Sequence, residues 1–166
     1  WPMLARVNSG AVYGVDAYPV EIEVNAASRG DPQMVIVGLP DAAVKESKDR
    51  VYTAVPNSGF EPHIGRTTVN LAPADIKKEG PNFDLPIAIG MLAAQGEIDV
   101  EALADCAVLG ELALSGKIRR VKGMLPIAMR MREDGLRRFL VPVDNSDEAA
   151  VVEGLNVIPV RTLREA

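Results

Sequence analysis

Apolar and polar residues follow strand-like periods in the first part of the chain and alternate between helix and strand periods further on. Over residues 18–25 apolar residues alternate with polar ones, which predicts a strand with one buried and one solvated face. Residues 34–37 form a continuous apolar run, which predicts a buried strand over residues 33–37. The remaining predicted strands cover residues 3–7, 11–15, 67–71, 106–111, 112–118, 138–141 and 157–160.

Turn and capping residues delimit the predicted helices. Asp41 follows Pro40 and is placed to cap a helix of residues 41–55. Turns are expected at Asn8-Ser9-Gly10 and at Ser115-Gly116, where residues that favour turns cluster. The other predicted helices run from Phe83 or Leu85 to Gln95, over residues 124–133 and over residues 146–153.

The order of these elements predicts one domain of the α+β class. Strands come first and helices then alternate with strands, which indicates a mixed sheet with helices mainly on one face. At 166 residues the chain can bury roughly two-thirds of its unfolded surface, so it needs no disulfide or metal to fold. The domain is assigned to residues 3–166, and Trp1 and Pro2, which precede Met3, are interpreted as a cloning remnant.

Composition says more about the cellular compartment of the protein than about its function. Hydrophobic residues make up 48% and charged residues 25%, which excludes disordered and collagen-like chains. The single cysteine, Cys106, excludes an intrachain disulfide and fits a reducing compartment. No apolar run approaches the ~20 residues that a membrane helix needs, and the chain does not start with the regions of a signal peptide. We therefore expect a cytoplasmic protein with no membrane partner.

A phosphate-binding loop is superficially indicated by residues 110–118, which run from Gly110 through Gly116-Lys117 to Ile118. Five residues instead of four separate the two glycines, and Ile118 stands where a magnesium-binding Ser or Thr is required. We interpret this stretch as a β-turn between strands and expect no nucleotide cofactor in this chain.

Metal sites are not indicated either. His63 is the only histidine and Cys106 the only cysteine, whereas zinc prefers several such ligands at short spacing. Asp75, Glu79 and Asp84 offer oxygens that magnesium accepts, but they are simpler to explain as solvated loop and capping carboxylates.

Catalysis by a Ser–Lys pair has two candidates, Ser47 beside Lys48 and Ser115 beside Lys117. Such a pair needs a lysine amine that is desolvated and faces the serine hydroxyl. Because neighbouring side chains on a helix or strand diverge, both pairs are interpreted as solvated residues.

Positive charge is concentrated in residues 117–138, which we call the basic segment. This segment contains eight cationic residues and two carboxylates, so it carries a net charge of +6 and the rest of the chain −11. A basic surface of this kind contacts DNA phosphates or an acidic neighbouring subunit, although the solvated face of a strand and helix gives the same pattern. The candidate contact residues are Lys117, Arg119, Arg120, Lys122, Arg130, Arg132, Arg137 and Arg138.

Two longer motifs carry a resemblance to a known family. The first is VGLPDAAVKESKDRV over residues 37–51, and the second is NLAPADIKKEGPNFDLPIA over residues 70–88. Both resemble the N-terminal domain of the magnesium-chelatase-like AAA+ ATPases, the ComM or YifB family of bacteria. The similarity runs from about Met3 to the end of the chain.

The resemblance implies a fold and a parent protein. The fold is that of ribosomal protein S5 domain 2 and of the Lon peptidase domain. In the family this domain precedes an AAA+ domain, so the parent is expected to use ATP and Mg²⁺, to form a homo-hexamer and to act on DNA. ComM-like members are implied to be ATP-driven helicases that promote branch migration in natural transformation and recombination.

The similarity to Lon also implies which catalytic residues to look for. Lon-type peptidases carry a Gly-Pro-Ser-Ala-Gly motif with a nucleophilic serine, and a lysine on a following helix activates that serine. Here Asn82 stands at the serine position, and an ungapped alignment from Gly116 places Ile127 at the lysine position. Neither side chain can do the chemistry, so we expect no peptidase activity.

Three hypotheses remain open at this stage. The first is a non-catalytic accessory or assembly domain of a DNA-remodelling AAA+ ATPase. The second is a Ser–Lys-type peptidase with a displaced dyad, which fold analogy alone supports. The third is an accessory subunit of a metal chelatase, which only the family name suggests.

Overall fold

The structure, a computed structural model, describes residues 4–27, 29–61, 63 and 65–166, without the side chain of Tyr13. The interpretation of Trp1 and Pro2, and the start of the first predicted strand at Met3, lie outside these residues. The strands are β1 (Leu4–Tyr13), β2 (Asp16–Ala26), β3 (Gln33–Val37), β4 (Arg66–Ala72), β5 (Cys106–Val108), β6 (Glu111–Leu112), β7 (Ile118–Arg119), β8 (Arg138–Pro142) and β9 (Asn156–Val160). The α-helices are α1 (Ala42–Lys45), α2 (Ser47–Asn57), α3 (Asp84–Ala94), α4 (Met124–Glu133) and α5 (Ser146–Ala149).

A seven-stranded mixed sheet organises the molecule in the order β3-β4-β2-β1-β5-β8-β9. The β1–β2 and β2–β4 pairs are antiparallel, whereas β3–β4, β1–β5, β5–β8 and β8–β9 are parallel. The strands β6 and β7 form a separate antiparallel hairpin. The predicted mixed sheet of an α+β fold is confirmed, with helices on both of its faces.

The core lies on both faces of the sheet. Helices α1, α2 and α3 pack on one face, and every residue of α3 is buried, as expected for a helix that is apolar all round. On the opposite face, α4 packs against β1 and β2, and α5 packs against β8 and β9. Along β5 the side chains alternate accordingly, since Cys106 and Val108 join the first cluster and Ala107 joins the second.

The turn predicted at Asn8-Ser9-Gly10 is wrong, because β1 runs through it without interruption. These residues are used for packing instead. Ser9 is buried and its Oγ donates to Val108 O at 2.7 Å, while Asn8 Nδ2 donates to carbonyls near the start of β5. A Cβ on Gly10 would lie 2.8 Å from Cγ2 of Ile127, so glycine allows α4 to approach the strand. The chain turns at Gly14, which has a φ of 64°.

The helix predicted over residues 41–55 is divided into α1 and α2 at Glu46. Asp41 caps α1 as predicted, since its Oδ1 accepts from Val44 N at 2.8 Å. The predicted helix over residues 146–153 ends at Ala149, after which the chain turns through Gly154, at a φ of 84°, into β9. The predicted helix over residues 124–133 is confirmed as α4.

Strand predictions in the middle of the chain are confirmed only in part. The run predicted over residues 106–111 is divided into β5 and β6, which belong to different sheets. The turn at Ser115-Gly116 is confirmed, and it connects β6 with β7. Within the described ranges, no helix has the length and apolar character needed to cross a membrane.

Candidate functional site

The two motifs that carry the family resemblance meet in space at one end of the sheet. The chain leaves β3 at residues 38–41 and runs beside the loop that follows β4. Lys78 joins them through its backbone: its N donates to Leu39 O at 2.9 Å, and its O accepts from Asp41 N at 2.9 Å. Backbone hydrogen bonds therefore join the two motifs into one structural unit.

Asp41 strengthens this connection with its side chain. One carboxylate oxygen accepts from Val44 N at the start of α1, and the other accepts from Gly80 N at 3.1 Å. A single carboxylate thus fixes the start of a helix and the loop opposite it. Both oxygens are occupied, so Asp41 has reduced capacity to bind an external group.

Lys78 is a fully buried lysine below this junction. Its Nζ donates to Pro73 O, within the same loop. Burial lowers the pKa of the ammonium group, and the nearby Asp75 carboxylate partly opposes that shift. Its position and its carbonyl partner give Lys78 a role in holding the loop after β4.

An open cavity of about 500 Å³ lies between the second motif, the end of β1 and the start of α4. We call it the motif cleft. Its walls include Val12 and Tyr18 of the β1–β2 hairpin, Asn82 before α3, and the pair Lys122-Gly123 before α4. Asn145 fixes that last wall, because its buried side chain accepts from Val121 N and donates to Val121 O, each at 2.9 Å.

Two helices begin at the motif cleft. Phe83 precedes α3 and Gly123 precedes α4, and neither helix start has a side-chain cap. The first backbone N–H groups of a helix carry a partial positive charge. At α4 this partial charge adds to that of Lys122. At α3 it is already compensated, because Asp84 N and Leu85 N donate to Pro81 O and Gly110 O and the Asp84 carboxylate lies in the first turn.

Asn82 and Ile127, the residues aligned with the Lon-type serine and lysine, differ in their access to this cleft. Asn82 is half-buried and lines it, with its backbone O accepting from Gly110 N at 3.0 Å. Ile127 is 1% exposed and belongs to the core between α4 and the sheet. An amide and a hydrocarbon at these places supply neither a nucleophile nor a base.

The two adjacent Ser–Lys candidates do not form pairs. Ser47 is buried and its Oγ donates to Asp84 Oδ1 at 2.5 Å, while Lys48 is exposed. Ser115 lies in the exposed turn of the β6–β7 hairpin, where its Oγ accepts from the backbone N of Lys117. Residues 110–118, tested above as a phosphate loop, belong to the same hairpin and do not start a helix.

No group of three or more His, Cys, Asp or Glu residues suitable for a metal ion occurs in the described part of the chain. His63 is buried, with its Nε2 2.5 Å from Ala27 O. Asp75 and Glu79 are exposed loop residues, whereas Asp84 is fully buried. The three carboxylates weighed as magnesium ligands are thus in different environments.

The buried cluster around Asp84 was missed by the analysis of sequence alone. Arg50 Nε donates to Asp84 Oδ2 at 2.6 Å and Arg50 NH2 to Oδ1 at 3.0 Å, a bidentate ion pair. Leu112 N completes the set by donating to Oδ2 at 3.1 Å. The pKa of Arg50 is raised, first by its hydrogen bond to Asp84. The available signal was an acidic residue at the start of an otherwise apolar helix, with a Ser-x-x-Arg spacing in the other motif.

The structure distributes the basic segment over several elements. Lys117 and Arg119 lie on the β6–β7 hairpin, Lys122 at the motif cleft, and the last two arginines at the start of β8. Three arginines have acidic partners, at 3.5 Å (Arg120–Glu148), 3.1 Å (Arg130–Asp134) and 2.7 Å (Arg138–Asp105). The Arg138 hydrogen bond lowers the pKa of Asp105. Arg132 donates to Glu153 O at 3.5 Å, and Arg137 is exposed.

The fold defines a Lon-peptidase-like domain. Lon protease 2 of Bacillus subtilis is 24% identical to the chain over 181 residues, which cover 99% of this chain and 32% of that protease. This likeness agrees with the mixed sheet described above.

Closer relatives identify the family. The family model described as "Subunit ChlI of Mg-chelatase" matches residues 20–145. The chain is 43% identical to the uncharacterized protein YifB of Escherichia coli over 91% of its length, and 44% identical to competence protein ComM of Haemophilus influenzae over 96%. The chain belongs to this magnesium-chelatase-like family, in the group that includes ComM and YifB. It spans 29% of that YifB and 31% of that ComM, about a third of each.

Proposed function

We propose that this chain is a non-catalytic accessory domain of a larger AAA+ ATPase that remodels DNA. Membership in the ComM and YifB group supports the parent class, and the name of the Haemophilus influenzae relative, competence protein ComM, supports a process that involves DNA. The parent would bind ATP and Mg²⁺ through a domain outside these 166 residues and would work as a ring of identical subunits. Branch migration during transformation and recombination is the activity we propose for that ring.

The observation that carries the accessory role is the chemistry of the motif cleft. A half-buried Asn82 lines it, and a core Ile127 replaces the amine. The buried lysine, Lys78, has a carbonyl partner, and the buried hydroxyls of Ser9 and Ser47 have partners of their own. A Ser–Lys dyad needs a hydroxyl and an amine within hydrogen-bond reach, so these contacts favour a binding or assembly role over peptidase chemistry.

The proposed contact with DNA rests on the exposed cations of the basic segment. Arg119 and Lys122 are exposed, and no acidic partner within 4 Å is assigned to either in the described part of the chain. Such residues bind phosphates without reading sequence, and the affinity then falls as salt rises. Arg120 adds to them despite its ion pair with Glu148, because that pair is largely solvated.

Fluorescence anisotropy with single-stranded and forked DNA tests this contact. The triple variant R119E/R120E/K122E is expected to weaken binding at least tenfold at low salt, because it reverses three phosphate contacts. A matched triple variant at exposed residues of other elements, R29E/K45E/K48E, makes the same change in net charge and should weaken binding less than threefold. No binding by the unaltered chain at low salt, or equal losses in both variants, would remove the DNA contact from the proposal.

The assembly role has its own test in the full-length parent. Deleting residues 3–166 is expected to shift the mass of the ATP-bound ring to a different or broader set of oligomers, measured by mass photometry. Removing a solvated domain that makes no subunit contact would lower the mass per subunit and leave the number of subunits unchanged. That second result would contradict the assembly role.

A further inference from the structure

Strand β1 is longer than the strand that pairs with it on one side. Along β2 it is paired from Leu4 to Tyr13, but its parallel pairing with β5 is confined to Asn8 and Ala107. Because β5 ends at Val108, the final part of β1 has no strand neighbour on that side in the described structure. This free length of edge begins at Gly10 and ends at Tyr13.

The alternation of backbone groups shows which residues of the free edge face outward. In an antiparallel pair, the N–H and C=O groups of alternate residues point to the same side of the strand. Asn8 pairs with β5, so Gly10 and Val12 direct their backbone groups to the β5 side as well. No backbone hydrogen bond of Val12 outside the strand pairs is recorded in the described ranges. Its N–H and C=O are available to an added strand.

The chain that follows β5 moves away from this edge. Leu109 N donates to Leu140 O of β8, and Gly110 N donates to Asn82 O at 3.0 Å. The position next to Val12 is thereby left to the motif cleft, which this residue lines. A volume of about 500 Å³ falls within the range of ligand-binding cavities.

The charges around the cleft favour an acidic occupant. Asp41 already accepts from two backbone N–H groups, and Glu79 lies 4.0 Å from Lys77. Lys122 is exposed and has no ion pair recorded in the described part of the chain. The start of α4, which has neither a side-chain cap nor an acidic residue in its first turn, adds partial positive charge beside Lys122.

We propose that the motif cleft binds an extended acidic segment of another polypeptide, which adds as a strand beside β1 at Val12. The backbone of that segment satisfies the free groups of the strand edge, and an acidic side chain pairs with Lys122. This mode of recognition takes its affinity from main-chain hydrogen bonds and its specificity from flanking side chains. The inference goes beyond the proposed DNA contact: the two share Lys122, but strand addition also requires the free backbone groups of Val12, which a phosphate contact does not use.

The test begins with a phage-displayed library of random eight-residue peptides, from which peptides that bind the immobilised chain are selected. Selected peptides are expected to be enriched in Asp and Glu and to shift the amide resonances of Gly10 and Val12 in heteronuclear NMR spectra. A version of each peptide N-methylated at alternate residues should lose at least tenfold in affinity. Failure to select any peptide, or shifts confined to the outer edges of the sheet at β3 or β9, would overturn the proposal.

Substitutions at Val12 make the test specific. V12P removes the outward N–H and leaves the β2 pairing intact, since that N–H does not belong to it, and proline is tolerated at such an edge. We expect V12P to weaken peptide binding at least tenfold, while the matched variant V12A, which keeps the N–H, stays within threefold. Equal binding by V12P and V12A, with both folded by NMR, would contradict strand addition.

A second pair of variants tests the acidic preference. K122E is expected to weaken binding at least fivefold, whereas K117E, which makes the same charge change on the exposed β6–β7 hairpin, should have little effect. Equal effects of the two variants would show that general electrostatics, and not a contact at the cleft, attracts the peptide.

Discussion

At the scale of single residues, Asp84 is the polar group on which the site depends most. It is fully buried at the start of α3, two residues after Asn82, and it links α2, α3 and the β6–β7 hairpin through Ser47, Arg50 and Leu112. Removing one partner of a buried ion pair leaves the other group without compensation, which costs more than the pair itself contributes. The cluster therefore ties α2 and the β6–β7 hairpin to the start of α3, next to Asn82 and Phe83 of the motif cleft.

We predict that D84A lowers the free energy of unfolding by about 3–5 kcal/mol. The loss arises because Arg50, 19% exposed in its side chain, would keep its charge without its partner. Urea denaturation checks the value. The matched variant E21A removes one partner of an exposed pair with Arg6 and should cost less than about 1 kcal/mol. Similar losses in the two variants would contradict the structural role of Asp84.

At the scale of elements, α3 and α4 could be predicted from the sequence, whereas the uninterrupted strand β1 could not. The period of apolar residues and the following glycine were sufficient to place α4 at residues 124–133. In β1, residues that favour turns serve long-range packing: Ser9 reaches Val108 and Gly10 admits Ile127. Such contacts join residues about a hundred positions apart, and local patterns carry no information about them.

The site was predictable to a similar, limited extent. The two motifs identified the segments that surround the motif cleft, because their glycines, prolines and Asp41 have local roles that a pattern records. The free edge of β1 was not predictable, since it depends on where β5 ends relative to β1 in the sheet. Likewise, the sequence showed eight cations in the basic segment but not the acidic partners Asp105 and Glu148, which lie outside it.

At the scale of the whole molecule, the chain offers two candidate contact regions: the exposed cations of the basic segment and the free edge of β1. The exposed cations of the basic segment are spread over the hairpin and α4, whereas the rest of the chain carries −11. The motif cleft lies where these regions meet, with Lys122 at its rim. In the proposed accessory role, these exposed cations and the free strand edge would hold other macromolecules near the motor of the parent protein.

The most direct test of this account asks whether the chain has a reactive hydroxyl. A fluorophosphonate probe and a fluorescent casein substrate are applied to the chain, with trypsin as a positive control for both labelling and cleavage. We predict no labelled serine by mass spectrometry and no casein cleavage, because Asn82 and Ile127 provide no nucleophile or base. Stoichiometric labelling of any serine, together with cleavage that this labelling abolishes, would contradict the account.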